Sequence, residues 1–164
     1  MDLKHYFPKT LGLIIFSISV LLGSDDLDIA DSVFSARIER DEWGVPHIYG
    51  KRDADVSFGL AYAHAQDDFT TLEDIVFALR GELASKNGRS AAVNDYYLHL
   101  MNYWGMIEDR YESDVADDVK LLCEGYAAGI NKYLQDNPSL KKRSFDPVTA
   151  KDIVVGFSHR MPLM

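Results

Sequence analysis

His64 and Asp68 stand four residues apart, so on a helix they share one face, with Asp67 beside them. That spacing suits a proton relay or two ligands of a metal. A metal needs at least one more converging ligand, and none is spaced to supply it locally. The pair therefore reads as a histidine–carboxylate hydrogen bond on a packed helix. His47 lies in RDEWGVPHIYG (40–50) between Pro46 and Ile48; a ring packed at a sheet edge fits it better than a general base. Ser139 and Lys142 match S-x-x-K as text. They follow Asn137-Pro138 in a basic stretch, where a lysine stays solvated and protonated and cannot take a proton. Cys123 is the single cysteine, which excludes an internal disulfide and a multi-cysteine metal site. In an apolar helical setting it reads as a buried, inert thiol. The sequence holds no G-x-S-x-G elbow, H-E-x-x-H pair, phosphate-cradling glycine loop or dinucleotide fingerprint.

The elements that would position these residues follow from periodicity. VFSARIER (33–40) alternates, with Phe34, Ala36 and Ile38 on one face, and VPHIYG (45–50) reads as a short returning strand after DEWG. Pro46 must sit at a strand start or an edge, having no N–H to give. DDLDIADS (25–32) has no pattern and reads as a loose start. From Asp53, a candidate cap, the pattern turns helical, and Phe69, Leu72, Val76, Leu79 and Leu83 form one apolar stripe along a long helix or a pair of broken ones. Gly59 marks close packing or a kink. SKNGRSA (85–91) reads as a loop, and DYYLHLMNYWGMI (95–107) as one helix buried on several sides.

A second stripe runs through Val115, Val119, Leu122, Tyr126, Ile130 and Tyr133 to Asn137-Pro138. Gly125 and Gly129 lie in it, each costing about 1 kcal/mol against alanine in a helix. Two such costs imply that another element packs closely there. KKRSFDP (141–147) is a basic turn, and Thr149 opens a last helix.

The chain has 164 residues, 47% of them apolar, which suits one domain with a real core. A formal charge of −9 argues against a nucleic-acid partner, which calls for a basic face. Residues 1–24 read as a signal peptide, with Lys4, His5 and Lys9 before the uncharged LGLIIFSISVLL (11–22). That run falls short of the length of a spanning helix, and an uncleaved anchor is the alternative reading. The expectation is a periplasmic or secreted protein with no stable membrane association after cleavage.

RDEWGVPHIYG and the DADVSFGLAYAHAQDDFTTLE that follows resemble the opening of the penicillin acylase family of N-terminal-nucleophile hydrolases. The matching positions are Arg40-Asp41, Gly44-Val45-Pro46-His47-Ile48, and Gly59 with Ala63, Ala65 and Asp67. ALRGELA (78–84) and EGYAAGINKYL (124–134) resemble the next two landmarks, so the likeness covers roughly 33–160. Its wording is nearest the branch of acyl-homoserine lactone and aculeacin-type acylases.

The resemblance implies an α+β fold. A mostly helical α-chain segment with a short N-terminal β-hairpin would be completed by a β chain into the αββα sandwich. It implies a precursor that cuts itself, freeing an α-amino group that can act as base beside the β chain's nucleophile. Residues 25–164 would then be an incomplete α-chain region with no catalytic residue. The partners implied are the β chain and a small acyl amide. Asp41 and Trp43 would organise the turn while His47 packs. Arg160 and Met161, by position in the last helix, would line the acyl pocket. No cofactor is implied for this segment; a calcium ligand of some members falls beyond it. The other class of reading is a non-catalytic exported remnant or interaction module without a β chain.

Overall fold

A computed structural model describes residues 26–140 and 147–160, without the Arg160 side chain. The proposed signal peptide, most of the basic turn and Lys142 lie outside the described residues.

Three antiparallel strands open the fold in the order β1 (Leu27–Ala30), β2 (Ser35–Arg40), β3 (Pro46–Gly50). The strand β1 corrects the loose start expected there. Its alternation lasts only four residues among acidic neighbours, yet Ile29 is buried and the strand pairs along β2, Leu27 opposite Ile38. Asp31 makes the turn between them, its Oδ1 accepting from the N–H of Val33 at 2.7 Å and Phe34 at 2.6 Å. The expected hairpin is present, with Ile38 opposite Ile48 and Arg40 opposite Pro46 at the strand start.

Phe34, Ala36 and Ile38 face inward as their alternation predicts, and meet Ala54, Phe58 and Tyr62 of α1 (Asp53–Leu79). Burying a side chain such as Phe58 or Ile38 contributes about 2–3 kcal/mol. Arg52, not Asp53, is the N-cap of α1. Asp55 does the acidic work, accepting from Arg52 N–H at 3.1 Å and from Ser35 N–H at 3.2 Å. Between Gly59 and close packing or a kink, packing is the outcome. A Cβ there would come within 2.6 Å of Ile48 and 2.8 Å of Ala36. The kink falls instead at Asp68 (φ −154°, ψ 76°), whose carboxylate caps Thr71 N–H at 3.0 Å and so starts a second helical run.

Helix α2 (Leu83–Asn87) and a 3-10 turn at Arg89–Ala91 replace the loop expected at 85–91. The expected single helix over 95–107 is two, α3 (Ala92–Met101) and α4 (Tyr103–Asp114). Asn102 separates them in the left-handed region at φ 50°, a conformation asparagine tolerates. Nor is that segment buried on several sides: Leu98, Tyr103 and Ile107 are buried, while Tyr96, Leu100 and Met101 are exposed.

Helix α5 (Asp117–Asp136) packs along α1 with its two glycines at the crossing. A Cβ on Gly125 would stand 2.3 Å from the carbonyl oxygen of Ala54, and one on Gly129 2.2 Å from that of Phe58. The backbones touch there, as the paired glycines imply. Helix α6 (Ala150–Arg160) closes the far end against α1, α4 and α5.

Candidate functional site: the groove beside helix α6

Helix α6 is placed by a buried ion pair. Asp152, 1% exposed, accepts from Arg80 Nε at 2.8 Å and Nη2 at 2.9 Å. Arg80 Nη2 also donates to Pro147 O at 3.0 Å. Thr149 starts the helix as expected, its N–H and Oγ1 each donating to Asp152 Oδ2 at 2.8 Å. Burial pushes the Asp152 carboxyl upward, but the bonds from Arg80 and Thr149 outweigh it and hold the group below the usual range. The end of α1 is thereby fixed to the start of α6, 72 residues further on.

Beside this pair, α1, α5 and α6 enclose an apolar groove of about 330 Å³, lined by Leu72, Ile75, Leu122, Tyr126, Ile153 and Phe157. Phe157 is 66% exposed, and Ile75 and Leu122 are partly uncovered. Tyr126 and Asp152 are polar members of its lining, and the Tyr126 hydroxyl lies 2.8 Å from His64 Nδ1. Burial raises the Tyr126 pKa, so this phenol stays neutral. A second cleft of about 1090 Å³, of mixed polar and apolar lining, includes Glu82, His99, Trp104, Glu108 and Lys151. Lys151 pairs with Glu108 there, and Trp104 Nε1 donates to Leu79 O at 2.8 Å.

The sequence-derived candidates separate. His64 bonds Tyr126 rather than Asp68, because the break at Asp68 takes that carboxylate off the helical face and gives it to Thr71. Asp67 pairs with Arg40 at 2.8 Å. His47 is exposed and lies 3.4 Å from Asp41 rather than packing. Asp41 organises the turn: its Oδ1 accepts from Trp43 N–H and Val45 N–H, both at 2.9 Å. Those bonds hold its carboxyl below the usual value. Trp43 contributes only its backbone, since its ring is uncovered. Cys123 is buried and free, and burial pushes its thiol up, away from the nucleophilic thiolate. Among the described residues no group of three His, Cys, Asp or Glu side chains could hold a metal ion. Arg160 ends α6 with its side chain outside the described residues, and Met161 lies wholly outside them. The groove and the Arg80–Asp152 pair are what sequence reasoning missed. Their residues come from three helices far apart in the chain.

The penicillin amidase family model matches residues 35–157, from the first sheet residue of β2 to Phe157 on the groove. The chain belongs to the penicillin amidase family. Over 109 residues it is 31% identical to acyl-homoserine lactone acylase PvdQ of Pseudomonas fluorescens, covering 62% of this chain and 14% of that protein. It is 28% identical over 117 residues to penicillin acylase 2 proenzyme of a Pseudomonas species, covering 71% and 15%. The chain thus spans about a seventh of the length of these relatives. In fold it is similar to a thermostable penicillin G acylase from Alcaligenes faecalis. The TM-score is 0.64 at 23% identity, over 77% of this chain and 72% of that one. A mostly helical unit with a small three-stranded antiparallel sheet is therefore a fold known in the family.

Proposed function

We propose that this chain is the α-chain part of an exported acylase that hydrolyses the amide between a hydrophobic acyl group and a polar amine. Acyl-homoserine lactones, β-lactams and lipopeptides are the substrate types. The observation that carries this reading is the penicillin amidase match over residues 35–157, whose named relatives are acylases. The nucleophile, its amino-group base and the oxyanion donors then lie on a β chain, which also completes the αββα sandwich. That division of labour accounts for a segment rich in scaffold and poor in chemistry.

This chain's own part is the wall of the acyl pocket. Met161 is assigned by its position in the stretch that resembles the family's last α-chain helix, and Phe157 in that stretch lines the apolar groove. On this reading Met161 touches the acyl chain and Arg160 steers the polar leaving group. Export follows from residues 1–24, giving a periplasmic or secreted product; no helix among the described residues is long and apolar enough to cross a membrane.

The test is the ratio of kcat/KM for a long and a short acyl substrate in the assembled enzyme. Met161→Trp fills space a long tail uses. Excluding three methylenes at about 0.8 kcal/mol each shifts the ratio by roughly fifty-fold against the long chain. An unchanged ratio in a normally matured variant places Met161 outside the pocket. The exposed groove also favours a second reading, a non-catalytic exported remnant that keeps only an interaction surface. Purification of a larger companion chain with this one decides between the two.

A further inference from the structure

The wide cleft at the start of α6 carries negative charge that its own ion pairs leave over. Its cations are Arg80 and Lys151, and each is taken: Arg80 by Asp152, Lys151 by Glu108. Glu82 and Glu124 line the same cleft, both exposed, and neither has an ion-pair partner among the described residues. The glutamates and His99 do not converge as the ligands of one metal ion would. Tyr111 of α4 belongs to the lining as well. It is 7% exposed, and its hydroxyl has no hydrogen-bond partner among the described residues. A buried polar atom left so is rare in a native fold and calls for an occupant. Burial above all, with Glu124 adding its negative charge, pushes the Tyr111 phenol up, so it stays neutral. The carboxylate acting on this oxygen is thus part of the cleft's wall. The cleft already seats one alkylammonium group. Lys151 Nζ rests on the Glu108 carboxylate and 5.6 Å from the centroid of the Tyr111 ring. Trp104, fixed by its bond to Leu79 O at 2.8 Å, adds an apolar wall.

We propose that this cleft binds an aliphatic diamine or polyamine. One ammonium group donates to Glu124 and to the Tyr111 oxygen, the other donates to Glu82, and the methylene chain lies along Trp104. The charge, the spread of the carboxylates and the volume select this class together. Two uncompensated carboxylates call for two positive charges. Because they do not converge on one point, they suit a chain with a charge at each end better than a single ion. A cavity of about 1090 Å³ has room for such a chain. A monoamine would leave one carboxylate unmatched, and an anion would meet charge of its own sign.

Titration calorimetry of putrescine into the mature protein purified from the complete reading frame tests this, with butylamine, magnesium chloride and an oligolysine peptide as comparison titrants. Putrescine should bind saturably, and butylamine about ten-fold more weakly. Tyr111→Phe removes only the unpartnered oxygen, so the melting temperature should hold while putrescine affinity falls about ten-fold. Glu82→Gln and Glu124→Gln keep the side-chain shape at exposed positions, and each should bring putrescine down to the level of butylamine. Putrescine binding no tighter than butylamine overturns the site, as does equal affinity in wild type and both glutamine variants. Unchanged affinity in Tyr111→Phe overturns the contact that carries it, a water then serving the hydroxyl. Tighter binding of magnesium than of putrescine overturns it in favour of a metal ion. Binding of oligolysine without binding of putrescine overturns it in favour of a basic protein segment.

Discussion

The two ends of α1 are held by different means. At its start, α5 crosses so closely that backbone meets side-chain-free backbone at Gly125 and Gly129, and the sheet seals the remaining face with Phe34, Ala36 and Ile38. At its far end, α6 is tied on by Arg80–Asp152, while Ile75, Leu122 and Phe157 stay uncovered around a groove. The first arrangement is a close packing of backbone on backbone. The second stops short of closure, which is what a surface awaiting more protein or an acyl tail requires. The sealed end is scaffold, and the open end is where function is to be sought.

That contrast can be broken most forcefully at the open end's tie. Asp152→Ala should leave the Arg80 guanidinium, mostly buried, without its carboxylate, costing about 3–5 kcal/mol. Urea unfolding checks it; a loss below 1 kcal/mol would show that apolar packing alone holds α6. At the sealed end, Gly129→Ala drives a methyl into Phe58 O and should cost about 3 kcal/mol, without changing hydrophobic-dye binding in the native state. If dye binding rises at once, the two ends are not independent. A smaller effect is expected in acid. Arg52 holds the Asp55 carboxyl at about 2, against 3.8 for a free aspartate. A depressed carboxylate stabilises the fold fully above its unfolded pKa. The contribution, about 2 kcal/mol, should therefore be lost as pH falls from near 4 through about 2. Asp55→Asn should flatten that part of the stability–pH curve.

Legibility in the sequence follows the same divide. Phe34, Ala36 and Ile38 show their face by period two, and Gly125 and Gly129 announce a close crossing because two helix-weakening residues demand a reason. The strand β1 hid because four residues carry too little period, and it is fixed by pairing with β2. The break at Asn102 hid because the residue is neither glycine nor proline. His64 was given the wrong partner since its true one, Tyr126, lies on another helix. The groove and Arg80–Asp152 join residues that only the packed fold brings together. Arg160 and Met161 rested on family resemblance alone.

The proposed function assigns the reaction to another chain. Fatty-acid release from a long-chain acyl-homoserine lactone by the purified 164-residue chain tests it most directly. Release should be no faster than in buffer. Release above that blank that is lost when the serines of the chain are replaced would contradict it.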